Sequence, residues 1–326
     1  MLRSLHSRAF ALGTLVPFSL FAVAACGGSN DSAPNPAGDT VATTSPVVAQ
    51  PGTTVATGVV VPTTVTYAQA DSVFRTRDYA SAATMFAAYT QRRPENPWGH
   101  YMLGLSDWKS GQLDSARAAF EDALKLDPKH VKSMINLARV LLDEDSAAAA
   151  LPRVQQAIAL DSGSTDAWRV LGRVQAQLRN TDAALDAYHT ALARDPNDVW
   201  SMNNMGLLLI RSGRYDEALG PLARAVQLDE HGAASFRNNL GVALERTGHY
   251  ALAADAYRQA LDADSSYSKA SSSLARVDGR QDEPGIEPVT VASLGDAFAK
   301  EVDAWHSAAD IAVVPQAAVK PDSSKP

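Results

Sequence analysis

This chain repeats itself about every 34 residues, and no other property of its sequence limits the fold so tightly. Pro94, Pro128 and Pro196 stand 34 and 68 residues apart. In step with them, a small residue recurs at Gly104, Ala138, Gly172, Gly206 and Gly241, each preceded by Leu103, Leu137, Leu171, Met205 or Leu240. A second small residue recurs at Ala116, Ala150, Ala184, Ala218 and Ala253. Four residues later comes a larger one, Phe120, Val154, Tyr188, Leu222 or Tyr257, followed by Ala123, Ala157, Ala191, Ala225 or Ala260. Small residues where two helices cross let the backbones approach, and the large residue one turn on fills the adjoining gap. Each helical pair then leaves an apolar face that only the next pair covers, so the period implies a stack of helical hairpins with no single central core. Alanine supplies much of the 46% hydrophobic share, as tight helix packing requires.

The turns are legible too. Ser110-Gly111, Ser212-Gly213 and Thr247-Gly248 end first helices, where glycine takes the left-handed conformation without steric cost, and Asp127-Pro128 and Asp195-Pro196 stop second helices. Pro152 and Pro221 fall within about the first turn of a second helix by this reading, where backbone N–H groups lack intrahelical partners anyway. Six repeats follow, at about 63–96, 97–130, 131–164, 165–198, 199–233 and 234–267, and the fifth carries one extra residue near His231-Gly232-Ala233. Ser268 to Val277 closes the stack as a solvating helix. Period and motif together resemble the tetratricopeptide repeat family across about residues 63–280. The resemblance implies an all-α, right-handed superhelical solenoid of about six helix-turn-helix repeats plus a capping helix.

Ahead of the repeats, Met1 to Arg8 form a basic segment and Ala9 to Ala22 an uncharged, mostly apolar one, shorter than the ~20 residues of a membrane span. Val23-Ala24-Ala25-Cys26 resembles the bacterial lipobox. That resemblance implies a signal peptide over residues 1–25, lipid on Cys26 and attachment to the cell envelope. Gly27 in place of aspartate favours the periplasmic side of the outer membrane in a cell with two membranes. Residues 26–62, rich in Pro, Thr, Gly and Val, read as a flexible tether.

The resemblance also places first helices on the concave side, where extended peptides or helices bind. Inward candidates are Tyr101, Leu105 and Trp108, then Asn136 and Arg139, then Arg169, Arg173 and Gln177. The fifth repeat adds Asn203, Asn204, Leu207 and Arg211, and the sixth adds Asn238, Asn239, Val242 and Arg246. Guanidinium forks suit a carboxylate-bearing partner, and carboxamides can hold an extended backbone, so an acidic or C-terminal peptide is one reading. In the other, the arginines pair within the chain. Too few lysines stand in the groove for the carboxylate-clamp subclass, and chaperone-tail binding is not carried over. Formal charge is −7, which disfavours nucleic acid. His100, His130, His189, His231 and His249 show no metal spacing, and no phosphate loop, dinucleotide fingerprint or nucleophile elbow occurs. The expectation is a non-enzymatic scaffold without metal or cofactor, its partner and oligomeric state open. Lipoproteins that look like this include pilus and secretion assembly factors and adaptors for cell-wall enzymes. A structural spacer or self-associating lipoprotein is the alternative.

Beyond the repeats, residues 281–326 form an acidic, proline-broken tail. Within it Leu294, Phe298, Val302 and Trp305 lie at i, i+4, i+8 and i+11 and predict an amphipathic helix over 291–309. Such a helix either docks into its own or a neighbouring groove, recruits another protein, or lies on the last repeat.

Overall fold

The computed structural model describes residues 64–229 and 232–313, with side-chain surroundings up to residue 308. The leader, Cys26 and the whole of the tether lie outside them. Every described element is an α-helix, and twelve of the helices form six hairpins. These are α1 (Tyr67–Arg75) with α2 (Tyr79–Arg92), α3 (Pro97–Lys109) with α4 (Leu113–Leu126), and α5 (Val131–Asp143) with α6 (Ala147–Leu160). After them come α7 (Thr165–Gln177) with α8 (Thr181–Arg194), α9 (Val199–Arg211) with α10 (Tyr215–Leu228), and α11 (Ala234–Arg246) with α12 (Tyr250–Ala263). The capping helix α13 (Ser268–Val277) and a long tail helix α14 (Val291–Val313) complete the chain.

The crossings form as the spacing demands. A Cβ added to Gly104 would come within 3.0 Å of the Phe120 ring, and one at Gly172, Gly206 or Gly241 would crowd Tyr188, Leu222 or Tyr257 closer still. Phe120, Tyr188, Leu222 and Tyr257 are themselves buried, so each small–large pair is a closed contact between the two helices of one hairpin.

Gly111, Gly213 and Gly248 take positive φ, whereas the equivalent turns of other repeats place Arg77, Asp145 and Arg179 there at φ of 65°, 56° and 66°. A side chain in that region costs roughly 1–2 kcal/mol, partly offset by the lower unfolded-state entropy of a non-glycine residue. Arg179→Gly is therefore expected to stabilise the fold by about 0.5–1 kcal/mol, seen as a higher urea midpoint. An unchanged or lower midpoint would show the turn to be unstrained.

The prolines differ from expectation. Pro152 is the sixth residue of α6 and Pro221 the seventh of α10, beyond the first turn, and both helices run through them. Each removes one intrahelical donor. At Pro152 the residue is exposed, so water can serve the carbonyl left over one turn back.

Successive first helices touch one another, α1–α3, α3–α5, α5–α7, α7–α9, α9–α11 and α11–α13, while among the described residues no second helix touches the next second helix. First helices therefore line the shorter, inner arc. The tail helix corrects one expectation: α14 lies in no inner groove but packs on α8 and α10, both second helices. Phe298 and Val302 are buried there, and Leu294 and Trp305 join the same apolar cluster. Glycines make the approach close: the Phe298 Cβ sits on Gly220, and Gly295 faces the Gln227 side chain. His306 donates from Nδ1 to the Ala193 carbonyl at 2.7 Å, and Gln227 Nε2 donates to the Ala292 carbonyl at 3.1 Å. The segment leading into α14 runs along the start of α12, where Asp282 accepts from the Ala251 N–H and Tyr250 donates to Glu283.

Candidate functional site

The inner arc is not uniform, and the reason lies in its register. The fifth residue of each first helix from α3 to α11 is Tyr101, Ile135, Arg169, Asn203 or Asn238, and all five are buried. Two candidates are thereby corrected. Tyr101 packs among Trp98, Phe120 and His130, and Leu105 is enclosed, so both belong to inter-helix packing rather than to a contact surface. Trp108 is only partly covered, but its Nε1 donates to Asp143 at 2.8 Å and the Lys109 ammonium lies 4.7 Å over its ring.

Internal pairing accounts for the arginines of the third and fourth repeats. Arg139 Nη2 lies 3.1 Å from Asp166, close enough for charge attraction though not aligned as a hydrogen bond, while Arg139 Nη1 donates to the Asn136 carboxamide at 2.8 Å. Arg169 donates to Asp166 through Nη2 and to Asp198 through Nη1, the latter at 2.6 Å with both side chains buried. Arg173 reaches Asp143 at 3.4 Å, and Gln177 donates to Asp145 at 2.9 Å. Burial alone would raise the Asp166 carboxyl, yet Arg139 and Arg169 outweigh it and hold it below the ordinary carboxylate range. Burial pulls Arg173 the other way, below the usual guanidinium value, with Asp143 opposing. Arg139, Arg169 and Arg173 thus clasp one repeat to the next. Their partners Asp143, Asp166 and Asp198 escaped the sequence reading, although Asp166 and Asp198 stand at the opening turn of the following first helix, where an acid also suits the helix dipole.

The fifth and sixth repeats differ. Asn203, Asn204 and Asn238 are buried and Asn239 is partly covered. Asn239 Nδ2 donates to Asn203 Oδ1 at 2.9 Å across the repeat boundary. The buried Oδ1 of Asn238 has no hydrogen-bond partner among the described residues, an acceptor whose desolvation is uncompensated. On the same helix faces, Leu207 and Val242 are partly exposed, and Arg211 and Arg246 are exposed at the helix ends. The Arg246 guanidinium lies 5.9 Å over the Tyr215 ring. The structure thus gathers eight candidates on α9 and α11 and leaves the upstream ones engaged with their own chain. Among the described residues no group of three or more His, Cys, Asp or Glu could hold a metal ion. No described helix is long and apolar enough to cross a membrane.

A solenoid of helical hairpins with small–large crossings and an inner arc of first helices defines a class of helical-repeat protein. The tetratricopeptide repeat family model matches residues 101–151, 135–199 and 203–268, together just over half of the chain, and the chain belongs to that family. It is 35% identical over 92 residues to human tetratricopeptide repeat protein 7B, an alignment covering 28% of this chain and 11% of that protein. The chain spans between about a tenth and a third of the length of the curated relatives it matches. Among solved structures it is similar to the Cut9-Hcn1 hetero-tetramer of the APC/C, at TM-score 0.58 and 19% identity over 73% of this chain and 48% of that one. It is also similar to TTC0263, a thermophilic TPR protein of Thermus thermophilus, at TM-score 0.50 and 21% identity over 56% of this chain and 98% of that one. At these identities the structural likeness speaks for the fold.

Proposed function

We propose that this protein is a lipid-anchored, non-catalytic adaptor of the bacterial envelope that captures an extended protein segment on the inner face of α9 and α11. The exposed arginines and their partly exposed neighbours carry the reading. Asn239, partly exposed and held by its bond to Asn203 Oδ1, has a second amide N–H for a peptide carbonyl, while Asn203, Asn204 and Asn238 lie behind it in the helix contact. Leu207 and Val242 give the segment apolar footing, and Arg211 and Arg246 meet its carboxylates at one end of the face. The segment is accordingly acidic, or ends in its own C-terminal carboxylate. Membrane attachment rests on the basic start, the short apolar stretch and the lipobox ending in Cys26. A self-associating spacer is less well supported, because α14 spends its apolar face on α8 and α10 of its own chain.

Full-length protein in detergent, titrated with fluorescent acidic peptides bearing either a free or an amidated C-terminus, tests the site. Changing Arg211 and Arg246 to glutamate together should weaken binding of the free-carboxylate peptide by about tenfold or more, for loss of charge-assisted bonds of roughly 1.5–3 kcal/mol. Helical circular dichroism should not change. Equal binding by both proteins, or none by either, removes the carboxylate role. Incorporation of labelled fatty acid that survives Cys26→Ser would remove the anchor.

A further inference from the structure

The groove that holds α14 has an unfilled counterpart two repeats upstream. Helices α4, α6, α8 and α10 are all 14 residues long, and α4 and α6 stand in the same register to each other as α8 and α10. In the downstream pair, the Trp305 ring lies 4.3 Å from the His189 ring, His306 bonds Ala193, and Phe298 rests on Gly220. Counting back two repeats turns His189, Leu192, Ala193 and Pro221 into Glu121, Leu124, Lys125 and Arg153. Those four residues line an open cavity of about 380 Å³. The position that takes the Trp305 end of α14 downstream is therefore also a cavity upstream, with different chemistry.

A second observation marks the same place. Leu160, the last residue of α6, is 43% exposed. Its counterpart Leu228 is only partly exposed and packs against the apolar cluster that includes Phe298 and Val302. Ahead of Leu160, α6 presents Pro152, Gln155, Gln156 and Ala159, all exposed and uncharged.

We infer that the α4–α6 groove is a docking site for an amphipathic helix of a partner protein, distinct from the inner face of α9 and α11. The fit defines the helix. Its apolar stripe covers Leu160 and sets one bulky side chain over Leu124, and its flank carries a carboxylate toward Arg153, away from Glu121 on the α4 side of the same cavity. Lys125 already pairs with Asp122 at 2.7 Å, so Arg153 is the main anchor for that flank. Size selection separates this helix from α14 itself. Pro152 stands where α10 has Gly220 and leaves no seat for a residue like Phe298, whereas Ala159 stands where α10 has Gln227 and admits a side chain larger than Gly295. A second copy's α14 is thus the poorer occupant.

Two fluorescent peptides test this on the full-length chain by anisotropy: residues 291–308 as they stand, and the same peptide with Gly295→Leu and Phe298→Ala. The adapted peptide should bind at least tenfold more tightly than the native one. It should lose at least tenfold on a chain carrying Arg153→Glu and Leu160→Glu, exposed positions whose change should leave circular dichroism unaltered. No measurable binding of the adapted peptide overturns the site. Binding untouched by those substitutions but strengthened by Phe298→Ala in the protein places the peptide in the groove of α14 and also overturns it. Equal binding of the two peptides to the α4–α6 groove makes a second copy the occupant and overturns the partner.

Discussion

Asp198→Ala is expected to destabilise the protein by about 3 kcal/mol, one of the largest single-residue losses the chain can show. Asp198 is buried at the start of α9, accepts from Arg169 at 2.6 Å and from the Ser201 hydroxyl at 2.5 Å, and ties the fourth repeat to the fifth. Removing one member of a buried ion pair costs roughly 3–5 kcal/mol, chiefly because the other charge is left desolvated. Arg169 keeps Asp166, which holds the loss to the lower end of that range. Replacing both partners, Arg169→Met with Asp198→Leu, should recover only part of the stability, since it removes the stranded charge but leaves Asp166 with Arg139 alone. Urea unfolding followed by circular dichroism reads the totals. Hydrogen exchange should show the loss concentrated in α7 to α9, because repeat solenoids distribute stability between neighbours. A loss below about 1 kcal/mol would make the pair equivalent to a surface contact.

Gly172→Ala is expected to cost about 2 kcal/mol, although alanine is the better helix former by about 1 kcal/mol. The added methyl would meet three ring atoms of Tyr188 closer than 3.0 Å, and that ring is enclosed and cannot swing aside. Overpacking of this kind costs typically about 1–3 kcal/mol and can exceed it. The third repeat suggests the remedy, for it pairs Ala138 with Val154 at the same two places. Tyr188→Val should be damaging alone, by about 2–4 kcal/mol for the emptied volume. Joined to Gly172→Ala it should cost less than the sum by at least about 1 kcal/mol. Strict additivity would mean that these positions do not share one space.

Those crossings were fully legible in the sequence, because packing imposes the same residue size at the same place in every hairpin. A register shift of one residue would have put Gly206 or Gly241 where no large partner stands. The inner face was legible only in part. Periodicity places Tyr101, Arg169 and Asn203 at one position of successive first helices, but that position is turned from the groove into the contact between helices, and its burial depends on how far each repeat rotates on the last. The partners of Arg139 and Arg169 lie in the next repeat, so their pairing needed the inter-repeat geometry. The amphipathic stripe of α14 was visible as Leu294, Phe298, Val302 and Trp305. Its destination was not, since nothing local in the stripe distinguishes an inner groove from the outer face marked by Gly220.

The hydrogen bond from His306 to Ala193 spans 113 residues. The bonds between neighbouring repeats, such as Arg169 to Asp198 or Asn239 to Asn203, span 29 and 36. Short spans let hairpins nucleate anywhere and grow outward quickly, whereas a long one must wait for both its ends. On the ribosome α14 emerges after every hairpin, and its seat exists only once α8 and α10 are in place. A contact of that span is expected to form after the folding barrier and to be present when unfolding begins. Loss of the tail helix should then speed unfolding while leaving the folding rate nearly unchanged, which stopped-flow unfolding and refolding of a chain carrying Phe298→Ala would read.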